Sequence, residues 1–166
     1  MMGVILASKF RKRTYGSWGE FFTDLRFLLQ NANLIIRVYF RGPLSAAFRE
    51  RLMVAVTAVY GCRFCSWFHT REALRGGLEK EEIAMLLSSS MENCPEEEAI
   101  AVLYAQHWAE SNANPAPEAV QRMEEACGTG KAKSVNAVLR LVRCGNLTGN
   151  SWNYLLHKIS FGMWGK

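Results

Sequence analysis

The chain has 166 residues, 49% apolar and 21% charged, with a formal net charge of +5. That profile fits a single globular domain, which at this size buries about two thirds of the surface its unfolded chain exposes, and it excludes a disordered chain and a second full domain. No apolar run reaches the roughly 20 residues of a membrane-spanning helix, and the opening MMGVILASKFRKR puts its positive charges after its short apolar piece, the reverse of a secretory signal, so a cytoplasmic protein is expected.

The first charged cluster, Lys9, Arg11, Lys12 and Arg13, has no aromatic or motif context and is expected to be a solvated basic tail, with no nucleic-acid or membrane partner. Helical periodicity then dominates, and strand patterns with hairpin turns are hard to find. Trp18, Phe21, Phe22, Leu25, Leu28, Leu29 and Ile35 recur at near-helical spacing and predict one helix, bent or straight, over 17–39, stopped by Gly42 and Pro43. Ser45 caps a helix over about 46–60 whose LMVAVTAVY is apolar on nearly every side and belongs in the core. Gly61 ends it, a helix follows from about Cys62 to Gly76 and Gly77, and EKEEIAMLL predicts a short one. Pro95 with Glu96, Glu97 and Glu98 opens a helix to about Ser111, and Pro117 opens another ending before Gly128. A last helical stretch runs from about Lys131 to Ile159, with Gly145 and Gly149 as places where it bends or splits.

Five cysteines, Cys62, Cys65, Cys94, Cys127 and Cys144, are an odd number and argue against a structural disulfide framework; only the first two form a close pair. In a helix, Cys62, Cys65 and His69 stand at i, i+3 and i+7, along one stripe. A thiol reacts as its thiolate, which the N–H groups at a helix amino terminus favour. Cys65, with that terminus on one side and His69 on the other, is the candidate nucleophile, and Cys62 the partner that closes a disulfide. Glu50 joins them if the chain reverses at Gly61, because a carboxylate beside an imidazole orients it and supports its charged form. In one straight helix Glu50 and Cys62 would stand about 18 Å apart, so the reversal is required. Two other readings of the pair stay open, a zinc site and a passive buried pair. Zinc needs further ligands, and Cys94, Cys127, Cys144, His107 and His157 are isolated in sequence. Haem attachment is excluded by Ser66, which stands where a histidine is required. No metal and no bound cofactor are expected.

Glu50, Cys62, Cys65 and His69, within LSAAFRERLMVAVTAVYGCRFCSWFHTREALRGGLEKEEIAML, resemble the signature of the alkylhydroperoxidase D-like branch of the carboxymuconolactone decarboxylase superfamily, closely over about residues 44–88. VNAVLRLVRCGNLTGNSWNYLLHKI is similar, more loosely, to the family's late helix, with Asn146, Gly149 and Asn150 near its asparagine-rich turn. The resemblance implies an all-α fold in which 41–166 form one compact helical domain and 1–40, which resemble nothing in the family, are an amino-terminal extension carrying an extra helix. It also implies trimers or hexamers, and a dithiol that reduces peroxides or exchanges with disulfides. In that reading Cys65 attacks the peroxide and becomes a sulfenic acid, Cys62 condenses with it, and His69 and Glu50 relay protons. The reductant implied is a dihydrolipoyl group on a lipoylated protein.

The chain departs from the family at Phe64, where peroxidase members carry a second histidine. That change removes one proton donor or acceptor and moves the expectation from efficient peroxidase toward a general thiol oxidoreductase. The decarboxylase branch normally lacks the cysteine pair; an acid/base enzyme of that type, using His69 and Glu50, is the alternative, and a non-enzymatic redox or metal-binding module the third.

Overall fold

The computed structural model describes residues 12–165, and among these there are eight α-helices and no strand. Lys9 and Arg11 of the expected basic tail lie outside the described residues. The helices are α1 (Trp18–Gln30), α2 (Ala32–Phe40), α3 (Ala46–Tyr60), α4 (Arg63–Arg75), α5 (Lys80–Leu87), α6 (Glu96–Glu110), α7 (Pro117–Cys127) and α8 (Thr129–Ile159).

α3 is the axis of the bundle, packed by α8, α6, α4 and α5. Its near-uniform apolar surface explains the position: Leu52, Met53, Val54, Ala55 and Val56 are all buried, and each large side chain so enclosed contributes roughly 1.5–3 kcal/mol. Ser45 starts α3 as the sequence predicts, its hydroxyl accepting the Phe48 N–H at 3.0 Å. Gly61 ends it in the left-handed region at φ +68, a conformation that glycine adopts without the cost borne by other residues. α4 then folds back along α3, so that a Cβ on Gly76 past the end of α4 would stand 3.5 Å from the Ala47 nitrogen at the start of α3.

Two elements differ from the sequence reading. The single helix expected over 17–39 is two, parted at Asn31, whose side-chain amide donates to the Phe27 carbonyl at 2.9 Å and so competes with the helix's own hydrogen bonding. The last helix does not split: α8 runs unbroken through Gly145 and Gly149, and Asn146 and Asn150 lie within it rather than in a turn. Its burial against α3 and α6 outweighs the weak helix preference of those residues.

α1 and α2 pack on α8. The junction is ionic. Asp24 of α1 is fully buried, takes a hydrogen bond from Arg140 at 3.0 Å and another from Arg143, and accepts the Tyr15 hydroxyl at 3.1 Å. The segment before α1 is tied down too: the Arg13 guanidinium donates to the carbonyls of Ala109 at 2.7 Å and Glu110 at 3.1 Å, closing the end of α6. Arg13 is therefore a helix-end ligand and not part of a solvated tail. No helix among the described residues is long and apolar enough to cross a membrane.

Candidate active site

The reversal at Gly61 brings together what the spacing of the residues predicts. Cys62 is the N-cap of α4, and its sulfur accepts the Cys65 backbone N–H at 3.3 Å. Cys62 and Cys65 are joined as a disulfide, with Cα atoms 5.2 Å apart, inside the usual range for such bonds. Cys62 is fully enclosed whereas Cys65 keeps 7% of its surface open, so of the two sulfurs Cys65 is the one that solvent reaches. The helix amino terminus acts on the other: the N–H aimed at the pair points to Cys62, where it favours negative charge.

One turn further along α4, His69 is buried and its Nδ1 stands 3.0 Å from Oε2 of Glu50 on α3. Glu50 lies between two arginines in sequence, yet it is buried and those arginines point elsewhere. Arg49 lies over the Tyr39 ring, and Arg51 pairs with Glu82 at 2.5 Å and Glu98 at 2.9 Å. With its Nδ1 engaged by the carboxylate, the imidazole keeps its second nitrogen outside that pair, where it can carry a proton. All four residues singled out from sequence, Glu50, Cys62, Cys65 and His69, thus lie on one hairpin.

The surroundings add residues that spacing alone does not identify. Tyr39 of α2 stands by Glu50; burial first, and then the Glu50 charge, push its hydroxyl up to about 12, against the opposing effect of Arg49. On α8, Asn146 donates to the Thr57 hydroxyl at 3.0 Å and Asn150 to the Tyr60 carbonyl at 2.9 Å, and Gly149 between them faces both sulfurs. Asn150 also donates to the Arg13 carbonyl at 2.9 Å, and the ammonium of Lys12 is held below its ordinary value by burial and then by the charge of Arg63, the first residue of α4. The amino-terminal segment therefore reaches the rim of the site. An isolated glycine inside a helical pattern is the one signal in the sequence that points to close packing at 149.

Phe64, Trp67 and Phe68 form an aromatic surface on α4. Phe64 is 66% exposed and stacks on Phe68 at 6.5 Å, and Phe68 meets the His69 ring edge-on at 5.2 Å. The position that holds a histidine in peroxidase members is thus an outward-facing hydrophobe. Cys94, Cys127 and Cys144 are partly buried, and burial pushes the Cys94 thiol up to about 11. Among the described residues, no group of three or more His, Cys, Asp or Glu side chains is arranged to hold a metal ion.

A family model for the carboxymuconolactone decarboxylase family matches residues 25–108, about half of the chain, from within α1 to near the end of α6. An uncharacterized protein of Cupriavidus necator is 39% identical over 51 residues, 31% of this chain and 45% of that protein, so the match spans under half of the relative's length. No solved structure matches the chain. The family model takes in α3, the reversal at Gly61 and α4, with Glu50, Cys62, Cys65 and His69 inside it, and the chain belongs to the carboxymuconolactone decarboxylase family.

Proposed function

We propose that the protein is a thiol oxidoreductase that cycles Cys62 and Cys65 between dithiol and disulfide, with small hydroperoxides or disulfides as oxidants. The observation that carries this reading is the bonded sulfur pair at the amino end of α4, one turn from an imidazole held by a buried carboxylate. In the oxidative half, the Cys65 thiolate attacks the outer oxygen of a hydroperoxide; the S–O bond forms as the O–O bond breaks, and the departing alkoxide takes a proton from the His69 imidazolium. Glu50 stabilises that imidazolium and fixes its ring. The Cys62 sulfur then attacks the sulfur of the Cys65 sulfenic acid, the S–S bond forms, and hydroxide leaves as water with one more proton.

The reductive half uses the difference between the two sulfurs. A dithiol, of which a dihydrolipoyl group is the chemical type, attacks Cys65, the sulfur open to solvent. Cys62 leaves as a thiolate stabilised by the Cys65 N–H, and the second thiol of the reductant resolves the mixed disulfide. Phe64 in place of a second histidine leaves His69 as the proton donor of the pocket. The exposed surface of Phe64, Trp67 and Phe68 supports assembly into a homo-oligomer that covers it. The test is peroxide-dependent oxidation of dihydrolipoamide by the wild type and by Cys65→Ser, with thiol labelling and intact mass before and after one equivalent of peroxide. Turnover that vanishes with Cys65, together with loss of two free thiols, supports the proposal; both thiols free after peroxide sinks it.

The Glu50–His69 pair also favours a second reading, since it is complete without either sulfur: acid/base chemistry on a carbon acid of the lactone decarboxylase type. Turnover of a lactone acid retained by Cys62→Ser, Cys65→Ser would select it.

A further inference from the structure

Gly149 has no backbone reason to be glycine. It lies in the middle of α8, in ordinary helical conformation, where glycine is about 0.5–1 kcal/mol worse than alanine. Its one distinguishing feature is what it faces. A Cβ at this position would stand 3.1 Å from the Cys62 sulfur and 3.9 Å from the Cys65 sulfur, whereas a Cβ on Gly145, one turn earlier in the same helix, would meet nothing within 4 Å.

Nor is α8 free to back away from an added methyl. Asn146 and Asn150 flank Gly149 and are both fully buried; they fasten the helix to the Thr57 hydroxyl and the Tyr60 carbonyl at the end of α3, next to Gly61 and the cysteines. The clearance between helix and sulfurs is therefore set by buried hydrogen bonds on either side of the glycine.

We infer that Gly149 is a positioning residue that reserves the space the Cys62 sulfur needs in the reduced state. Resting on the redox reading above, the argument is one of volume. Two bonded sulfurs must separate to van der Waals contact when the bond is cleaved, and enclosed Cys62 has Gly149 beside it. A methyl at 149 crowds the pair in both states, and more in the bulkier dithiol, so it favours the disulfide. When a small dithiol such as dithiothreitol supplies two electrons and two protons, the S–S bond breaks, two S–H groups form and the reductant closes its own disulfide; this equilibrium is the one the glycine tunes.

The experiment is a redox titration of wild type, Gly149→Ala and Gly145→Ala in dithiothreitol buffers, read by thiol labelling of Cys62 and Cys65. Gly149→Ala is expected to need about a tenfold higher ratio of reduced to oxidised dithiothreitol for half reduction, which is ~30 mV for a two-electron couple, with Gly145→Ala unshifted. If the wild type titrates reversibly and Gly149→Ala coincides with it, the inference is wrong and the redox reading stands; if the wild type shows no reversible pair, both are wrong. Should Gly149→Ala fail to fold, the same substitution is made in Cys62→Ala, which removes the sulfur 3.1 Å from the added methyl and leaves only that of Cys65, in ordinary contact at 3.9 Å. Recovery of a folded protein at least as heat-stable as Cys62→Ala supports the inference, and continued failure to fold overturns it.

Discussion

Two of the places where this molecule buries charge do so to different ends. At the junction of α1 and α8, Asp24 is met by two guanidinium groups and a phenol, and its carboxylate keeps no surface open to solvent. At the α3–α4 reversal, Glu50 meets a single imidazole, and a partly open sulfur lies one turn away. The first arrangement is saturated and holds two elements together. The second leaves one imidazole nitrogen outside the ion pair, with the Cys62–Cys65 pair one turn away, which is what the proposed redox chemistry requires. Burial of an ion pair does not by itself mark a candidate site; the proposal rests on the sulfur pair beside this one.

Removing a charge or a sulfur from either place breaks or sharpens that contrast. The largest effect is expected from Cys65→Ser, which should lower peroxide-dependent turnover by about a thousandfold or more while leaving the melting temperature near that of the reduced wild type. Asp24→Ala should do the opposite: it strands two arginines at a buried site and should cost about 3–5 kcal/mol in denaturant unfolding, with turnover per folded molecule little changed. If Asp24→Ala also abolished turnover at full occupancy of the folded state, the division of roles would be mistaken. Glu50→Gln should lie between them, lowering kcat about ten- to a hundredfold with KM nearly constant, because it loosens the imidazole without touching substrate. The mildest expectation concerns Cys94. Burial raises its thiol to about 11 from an ordinary 9.0, so the folded state prefers the neutral form; the stability this gives is present below pH 9 and is lost as pH rises through 11. At pH 8 alkylation of Cys94 should run about a hundredfold slower in the folded protein than in urea, the thiolate fraction falling tenfold for each pH unit by which the thiol is raised, and the gap should narrow as pH rises above 9.

The sequence was most informative where the determinant is local. Ser45, Gly61, Pro95 and Pro117 mark helix ends through capping and backbone preference, and the structure places helix boundaries at all four. The quartet Glu50, Cys62, Cys65 and His69 was legible because three members share one helical stripe and the fourth needs only a single reversal. Long-range partners were not legible. Nothing near Arg13 in sequence announces that it closes α6 nearly a hundred residues away, and nothing near Gly149 announces sulfurs from α4. Composition also misdirected at Gly145 and Gly149, whose weak helix preference argued for a bend that packing on α3 removes. Asn31 illustrates the converse: a helix break made by one side chain's own hydrogen bond, invisible to hydrophobic periodicity.

Cys62 is at once half of the disulfide and the residue on which α4 begins, its sulfur standing where a serine or aspartate oxygen commonly does. Oxidation state is thereby written into the first turn of a helix. Deuterium uptake at the Cys65 amide should slow when Cys62 is a thiolate and quicken when it is alkylated, giving a spectroscopic record of the couple that needs no substrate at all.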